Sequence, residues 1–491
     1  MNDLVYLSEL LPEAVAVLTA LVLLGVSAAA GAKTGKAVRP GTTMTIALAG
    51  ILGSLAMLVF GAEWVALDAL GRLFKGVILV LGGLAILLPP AKREIAHPGE
   101  FHALMLFAIA GLMMAVGTNH LLFLFVALEL ASLSLYLLAG FPRTRRPAEA
   151  SLKYFLFGGV SAAFMLFGLS LLYGFAGTAL LPELAKKVTV EPASALAMTG
   201  LLMVMVGLGF KLAAAPFHYW APDVYQGAPA TSVGLVAAAS KVAGLVVAVR
   251  LLGIGFRAAG GSAAWGGIEA GWSVWLAVLA AVSILLGNLL ALAQTSVRRL
   301  LAYSAVANTG YLLVGLCANG SNAFGMSLFY VIVYGLATFG ALAVTAAVER
   351  DRGTDDRHAF AGLIHRSPMQ ALCLLVFLAS LAGIPPLAGF VGKFGVFSAA
   401  LKDSAWDSAQ GLVWLVALAA MMSAVSLYYY LRILKEAFVS ESVDDIACEL
   451  PPVGHRLAML LPAAVLVVLG CFPAPLMQAV GRAVAAVLGG P

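Results

Sequence analysis

From residue 11 to residue 477 the chain keeps returning to apolar runs of roughly 20 residues, the length a helix needs to cross a bilayer. Short charged links separate the runs. This pattern excludes most folds. In hydrocarbon every backbone N–H and C=O must be satisfied internally, so only helices and closed barrels span a membrane. Barrel strands read as weakly alternating segments of roughly 10 residues, and the runs here do not alternate. The predicted fold is an all-α polytopic membrane protein with about 14 transmembrane helices. Composition agrees: 62% of residues are hydrophobic and 11% charged, against about 25% charged in a soluble domain. The basic residues are scattered over short loops, which argues for cytoplasmic links and against a nucleic-acid surface. The four cysteines are isolated, so neither a metal site nor a disulfide framework is indicated. The opening MNDLVYLSELLPEA lacks the basic region of a cleavable signal, so the first helix is expected to stay.

Two runs are interrupted. The seventh, 196–218, meets Pro216, and the twelfth, 367–398, meets Pro385-Pro386. A proline inside a helix removes a hydrogen bond and breaks it. Each break is the fourth member of a group of five spans. The odd offset makes the groups run in opposite directions, as in transporters built from inverted repeats with broken helices. The expected organisation is therefore three N-terminal helices over 1–101, one repeat (helices 4–8) over 102–252, a second (helices 9–13) over 271–437, and helix 14 within 456–491. Links after odd-numbered spans carry most of the basic residues, including Lys92, Arg93, Arg143, Arg145, Arg146 and Arg350. The other side carries fewer, among them Arg72, Lys75, Arg250 and Arg257. By the positive-inside rule both termini face outward.

Few ionisable residues fall inside spans. Glu129 is the one mid-membrane acid; Lys211, Lys241 and Lys393 are the deep bases, and Lys153 stands at the start of span six. An ionisable side chain at a helix centre costs roughly 2.5–3.5 kcal/mol on insertion scales, and such residues mark ion pathways. Burial disfavours an ammonium and a nearby carboxylate favours it. A lysine with a movable carboxylate partner can thus be switched between holding and releasing a proton. Glu129 and Lys211 are read as such a pair, Lys241 as the next relay and Lys393 as the far site. His218, just beyond the first break, is equally a proton carrier or an interface residue. Lys153 reads evenly as a relay or as a snorkelling side chain. Tyr303, Ser304, Asn308, Thr309 and Tyr311 on span ten offer polar groups between the lysines, or ordinary interhelical hydrogen bonds.

The stretches VALELASLSLYLLAGF (126–141), PFHYWAPDVYQGAPA (216–230), SVRRLLAYSAVANTGYLLVGL (296–316) and LAGIPPLAGFVGKFGVF (381–397) resemble the antiporter-like membrane subunits of respiratory complex I. The DVYQGAP form and a chain ending soon after span 14 are most similar to the branch that is counterpart to mitochondrial subunit 2. The resemblance implies that Glu129 is the helix-5 glutamate, Lys211 the broken-helix lysine, Lys241 the helix-8 relay and Lys393 the outlet-side residue of helix 12. Lys153 matches a lysine near the start of helix 6 in some members. It also implies a bacterial inner-membrane protein, surrounded by lipid, whose partners are other complex I membrane subunits, sister antiporter-like subunits included. NADH, FMN, iron–sulfur clusters and quinone would belong to partner subunits, with no cofactor in this chain. The competing expectations are a subunit of a cation/proton antiporter or of a membrane-bound hydrogenase, and a scaffold without a proton path.

Overall fold

A computed structural model describes residues 9–34, 37–61, 67–89, 95–191, 194–403, 411–441 and 451–489. Lys92 and Arg93 lie outside the described residues. The chain is a helical bundle. Its first six long helices are α1 (Leu11–Thr34), α2 (Pro40–Phe60), α3 (Ala69–Leu87), α4 (Pro98–Val116), α5 (Leu121–Ala139) and α6 (Arg145–Ala176). Then come α7 (Ala195–Leu212), α8 (Ala230–Gly255), α9 (Trp272–Leu292), α10 (Val297–Cys317) and α11 (Ser321–Arg352). The last are α12 (Pro368–Ala382), α13 (Ala388–Asp403), α14 (Val413–Phe438), α15 (Val453–Cys471) and α16 (Ala474–Leu488). Among the described residues thirteen helices are long and apolar enough to span a membrane. The twelfth expected span is the departure: it exists as two shorter pieces, α12 and α13. A short hairpin, Ser262–Ala264 with Gly267–Glu269, precedes α9.

Helices α8, α10 and α11 are almost wholly buried and form the centre. Outer helices expose large apolar side chains, such as Phe155, Phe157, Phe164 and Phe167 on α6. That apolar shell is what a bilayer would cover. Small residues let the inner helices close up, because lipid supplies no hydrophobic drive between them. At Gly287 on α9 an added Cβ would strike the backbone of Ala307 on α10, and at Gly310 on α10 it would strike the backbone around Ala280 and Ile284.

Both interruptions follow one steric rule. A proline ring clashes with the carbonyl four residues earlier. Helix α7 ends at Leu212, four residues before Pro216, and α12 ends at Ala382, four residues before Pro386. In each case the next residue takes the left-handed conformation, Ala213 at φ 56° and Gly383 at φ 84°. The breaks thus begin ahead of the prolines rather than at them. They leave helix-end carbonyls deep in the protein that need donors.

Candidate functional site

The deep lysines sit where helix regularity fails. Lys211 is the penultimate residue of α7. Lys241 directly follows a π-helical turn, Val236–Ser240, inside α8, and such turns leave the normal bonding ladder locally rearranged. Lys393 lies on α13, beyond the second break. All three are buried.

Among the described residues, none of these lysines donates to a carboxylate. Lys211 Nζ donates to Ser132 Oγ on α5 at 2.7 Å, and Ser132 donates on to Leu128 O. Glu129 is half-buried one helical turn before Ser132, on the same face. Glu129 and Lys211 form no ion pair within contact distance, but the Glu129 charge is near enough to act on Lys211. Lys241 Nζ donates to Ala305 O at 2.6 Å and to Thr309 Oγ1 at 2.8 Å, and rides over the Tyr334 ring at 5.0 Å. Thr309 Oγ1 in turn lies 2.6 Å from Leu212 O, the last carbonyl of α7. The orphaned carbonyl of the first break is thereby tied through one hydroxyl to Lys241. The second break is tied more directly. Lys393 Nζ donates to Ala382 O at 3.3 Å, the last carbonyl of α12, and to Ser423 Oγ at 3.0 Å.

A polar network fills the space between Lys241 and Lys393. Asn308 Nδ2 donates to Ser304 O at 2.8 Å, and Ser304 Oγ is hydrogen-bonded to Tyr430 OH. Tyr330 OH donates to Asn308 Oδ1 at 2.6 Å. Tyr429 stacks edge-on against Tyr430 and donates to Asn288 Oδ1 at 3.1 Å. Asn288 Nδ2 donates to Tyr311 OH at 3.0 Å, and the Tyr311 ring lies 5.0 Å below Lys393 Nζ. A hydroxyl can both donate and accept, the amide donates through Nδ2 and accepts through Oδ1, and an ammonium only donates until it has released a proton.

The other predicted residues stand apart from this line. His218 is buried beyond the first break, stacked on Tyr219 at 4.8 Å and edge-on to Tyr303, with Nδ1 unpartnered. Lys153 is partly exposed and pairs with Glu149 at 2.8 Å and Asp223 at 2.7 Å. Asp223 also holds Arg299 at 2.7 Å. Burial opposes ionisation of Asp223, but bonds from Lys153 and Arg299 outweigh it and hold the carboxyl below its ordinary value.

Two charged residues read as outer-loop charges need reassignment in part. Lys75 is buried on α3 against Glu13 of α1 at 2.7 Å. Arg250 is fully buried at the end of α8, bidentate to Asp68 with two contacts of 2.7 Å. Both lie inside predicted apolar runs, and that position was the available signal. Ser132 and Ser423 have no comparable signature, because a hydroxyl in an apolar run is unremarkable until its partner is known; Thr309 stood out only as one of several polar groups on span ten.

A family model described as "NADH:quinone oxidoreductase/Mrp antiporter, TM" matches residues 118–433, the stretch that carries every lysine of the line. The chain belongs to this family. Within it, the "NADH-quinone oxidoreductase subunit N 2" of Acidobacterium capsulatum is 46% identical over 90% of this chain and 92% of its own length. A chain of the Thermus thermophilus structure "Respiratory complex I from Thermus thermophilus with bound Aureothin" superposes with TM-score 0.78 at 32% identity, covering 96% of this chain and 99% of that one. A chain of the Mrp complex from Dietzia sp. superposes with TM-score 0.82 at 20% identity over 97% of each, a likeness of fold alone.

Proposed function

We propose that this chain is a proton-translocating membrane-arm subunit of an NADH:quinone oxidoreductase in a bacterial inner membrane, with both termini on the outer side. The observation that carries this reading is that each helix break presents its last carbonyl to a buried lysine, Leu212 O to Lys241 through Thr309 and Ala382 O to Lys393 directly. A buried amine held by hydroxyls and carbonyls can hold or give up its proton as its surroundings shift. Glu129 acts on Lys211 by its charge, and Lys241, the Asn308–Tyr430–Asn288 network and Lys393 complete the path. The matched breaks support the inverted five-helix repeats over 102–252 and 271–437. NADH oxidation, FMN, iron–sulfur clusters and quinone reduction belong to partner subunits, which drive this chain by conformational and electrostatic coupling. Lys153 holds the start of α6 to Asp223 and Arg299 at the inner face, and His218 lines the first break.

Co-purification tests the reading. The tagged chain, gently extracted from native membranes, is expected to bring down NADH:quinone oxidoreductase activity and flavin, and Lys211→Ala to abolish coupled proton transport. Recovery with antiporter-like subunits and no redox activity would instead favour a cation/proton antiporter or a hydrogenase module.

A further inference from the structure

The N-terminal end of the bundle holds a second set of buried ionisable groups, well away from the lysine line. Lys241 and Arg250 share α8, and nine residues of helix separate them by about 13 Å along the axis. Beside Lys75 a cavity of about 280 Å³ is lined by Glu9, Lys75, Thr118 and His120, with Leu10, Met114 and Phe123 as its apolar wall. Lys75 connects this cavity to the interior: Nζ donates to Glu9 O at 2.8 Å and lies 2.7 Å from Glu13 Oε1.

Charge bookkeeping among the described residues singles this set out. The charged groups within reach of Glu9 are Lys75, Asp68, Arg250 and Glu13. Arg250 is committed to Asp68, whose Oδ1 also accepts from Gly71 N at 2.6 Å, and to Val116 O and Asn119 Oδ1. His120 Nδ1 is engaged with Phe123 N at 3.3 Å. Lys75 is then the single cation left for two carboxylates, Glu9 and Glu13. Two carboxylates sharing one ammonium at low dielectric cannot both stay ionised cheaply; one proton between them resolves the repulsion. Glu13 is almost fully buried, and neither of its oxygens receives a well-directed hydrogen bond. Burial pushes the Glu9 carboxyl above its ordinary value, with Lys75 opposing.

We propose that Glu13 and Lys75, with Glu9 at the cavity wall, form a proton-binding site at the N-terminal face, which takes a proton from cavity water and returns it there. The site holds a proton at the start of α1, independently of the lysine line. Its part in transport rests on the proposed function above, whereas its proton binding does not.

The test is pH-difference infrared spectroscopy on the assembled complex, reading the protonated-carboxyl stretch. Wild type is expected to show a titrating carboxyl that disappears in Glu13→Gln or Glu9→Gln. Difference spectra identical to wild type in both variants would overturn the proposal. Should a single variant fail to assemble, Glu13→Leu/Lys75→Leu carries the same reading, since apolar replacement of a whole buried ion pair is often neutral or stabilising. The double variant is expected to lose the same band; an unchanged band would reduce the pair to a helix staple. Lys241→Met separates the two readings: it tests the lysine line and leaves the Glu9/Glu13 band in place.

Discussion

Thr309→Val removes one hydroxyl at nearly constant volume, and that hydroxyl stands at the junction of the proposed path. Its oxygen accepts from Lys241 Nζ at 2.8 Å, and its proton serves Leu212 O at 2.6 Å or Ala305 O at 2.9 Å. A hydrogen bond to a charged group contributes about 1.5–3 kcal/mol. At about 1.4 kcal/mol per factor of ten, losing it disfavours the docked ammonium by about 10- to 100-fold. The orphaned Leu212 carbonyl adds about 1–3 kcal/mol of desolvation penalty, which falls on the stability of the break. The assay is quinone-coupled proton uptake in vesicles containing the assembled complex, read with a pH-sensitive dye and expressed as protons per electron. Thr309→Val is expected to forfeit most of this chain's share, while Thr309→Ser, which keeps the hydroxyl, stays near wild type. Wild-type proton ratios in Thr309→Val would refute the junction, as would equal losses in the serine and valine variants.

Ser132→Ala is expected to slow coupled proton uptake, and Glu129→Gln/Ser132→Ala to be no worse than the more damaging single change; additive losses would separate the two residues. Asp223→Asn is expected to weaken the inner-face cluster with a pH signature. The wild-type carboxyl is depressed, so its stabilisation is complete above the ordinary value of 3.8 and fades as pH falls below it toward the folded value. Thermal melts of the two solubilised proteins should therefore converge in acid, and a constant gap would contradict the ion-pair account. Gly287→Ala is expected to cost about 1–3 kcal/mol, because the new Cβ meets the Ala307 backbone rather than a movable side chain; undiminished complex yield and melting temperature would count against that packing.

Membrane placement, helix count and the positions of both breaks were legible in the sequence, because each depends on local chemistry. An apolar run long enough to span must be helical in hydrocarbon, and a proline ends a helix at a fixed offset, as at Leu212 and Ala382. The deep lysines were legible too, since a charge in an apolar run stands out without knowledge of its neighbours. Their partners were not. Ser132, Thr309 and Ser423 meet Lys211, Lys241 and Lys393 across sequence separations of 79, 68 and 30 residues, and nothing in a hydroxyl's local sequence tells which helix it will face. The same holds for Lys75 and Arg250, which read as interfacial charges until α1 and the Asp68 turn are folded against them. Sequence sets the length, polarity and breaks of each helix. Only packing decides which polar groups share a low-dielectric interior, and there a single hydrogen bond or missing counter-charge determines whether a proton stays or moves.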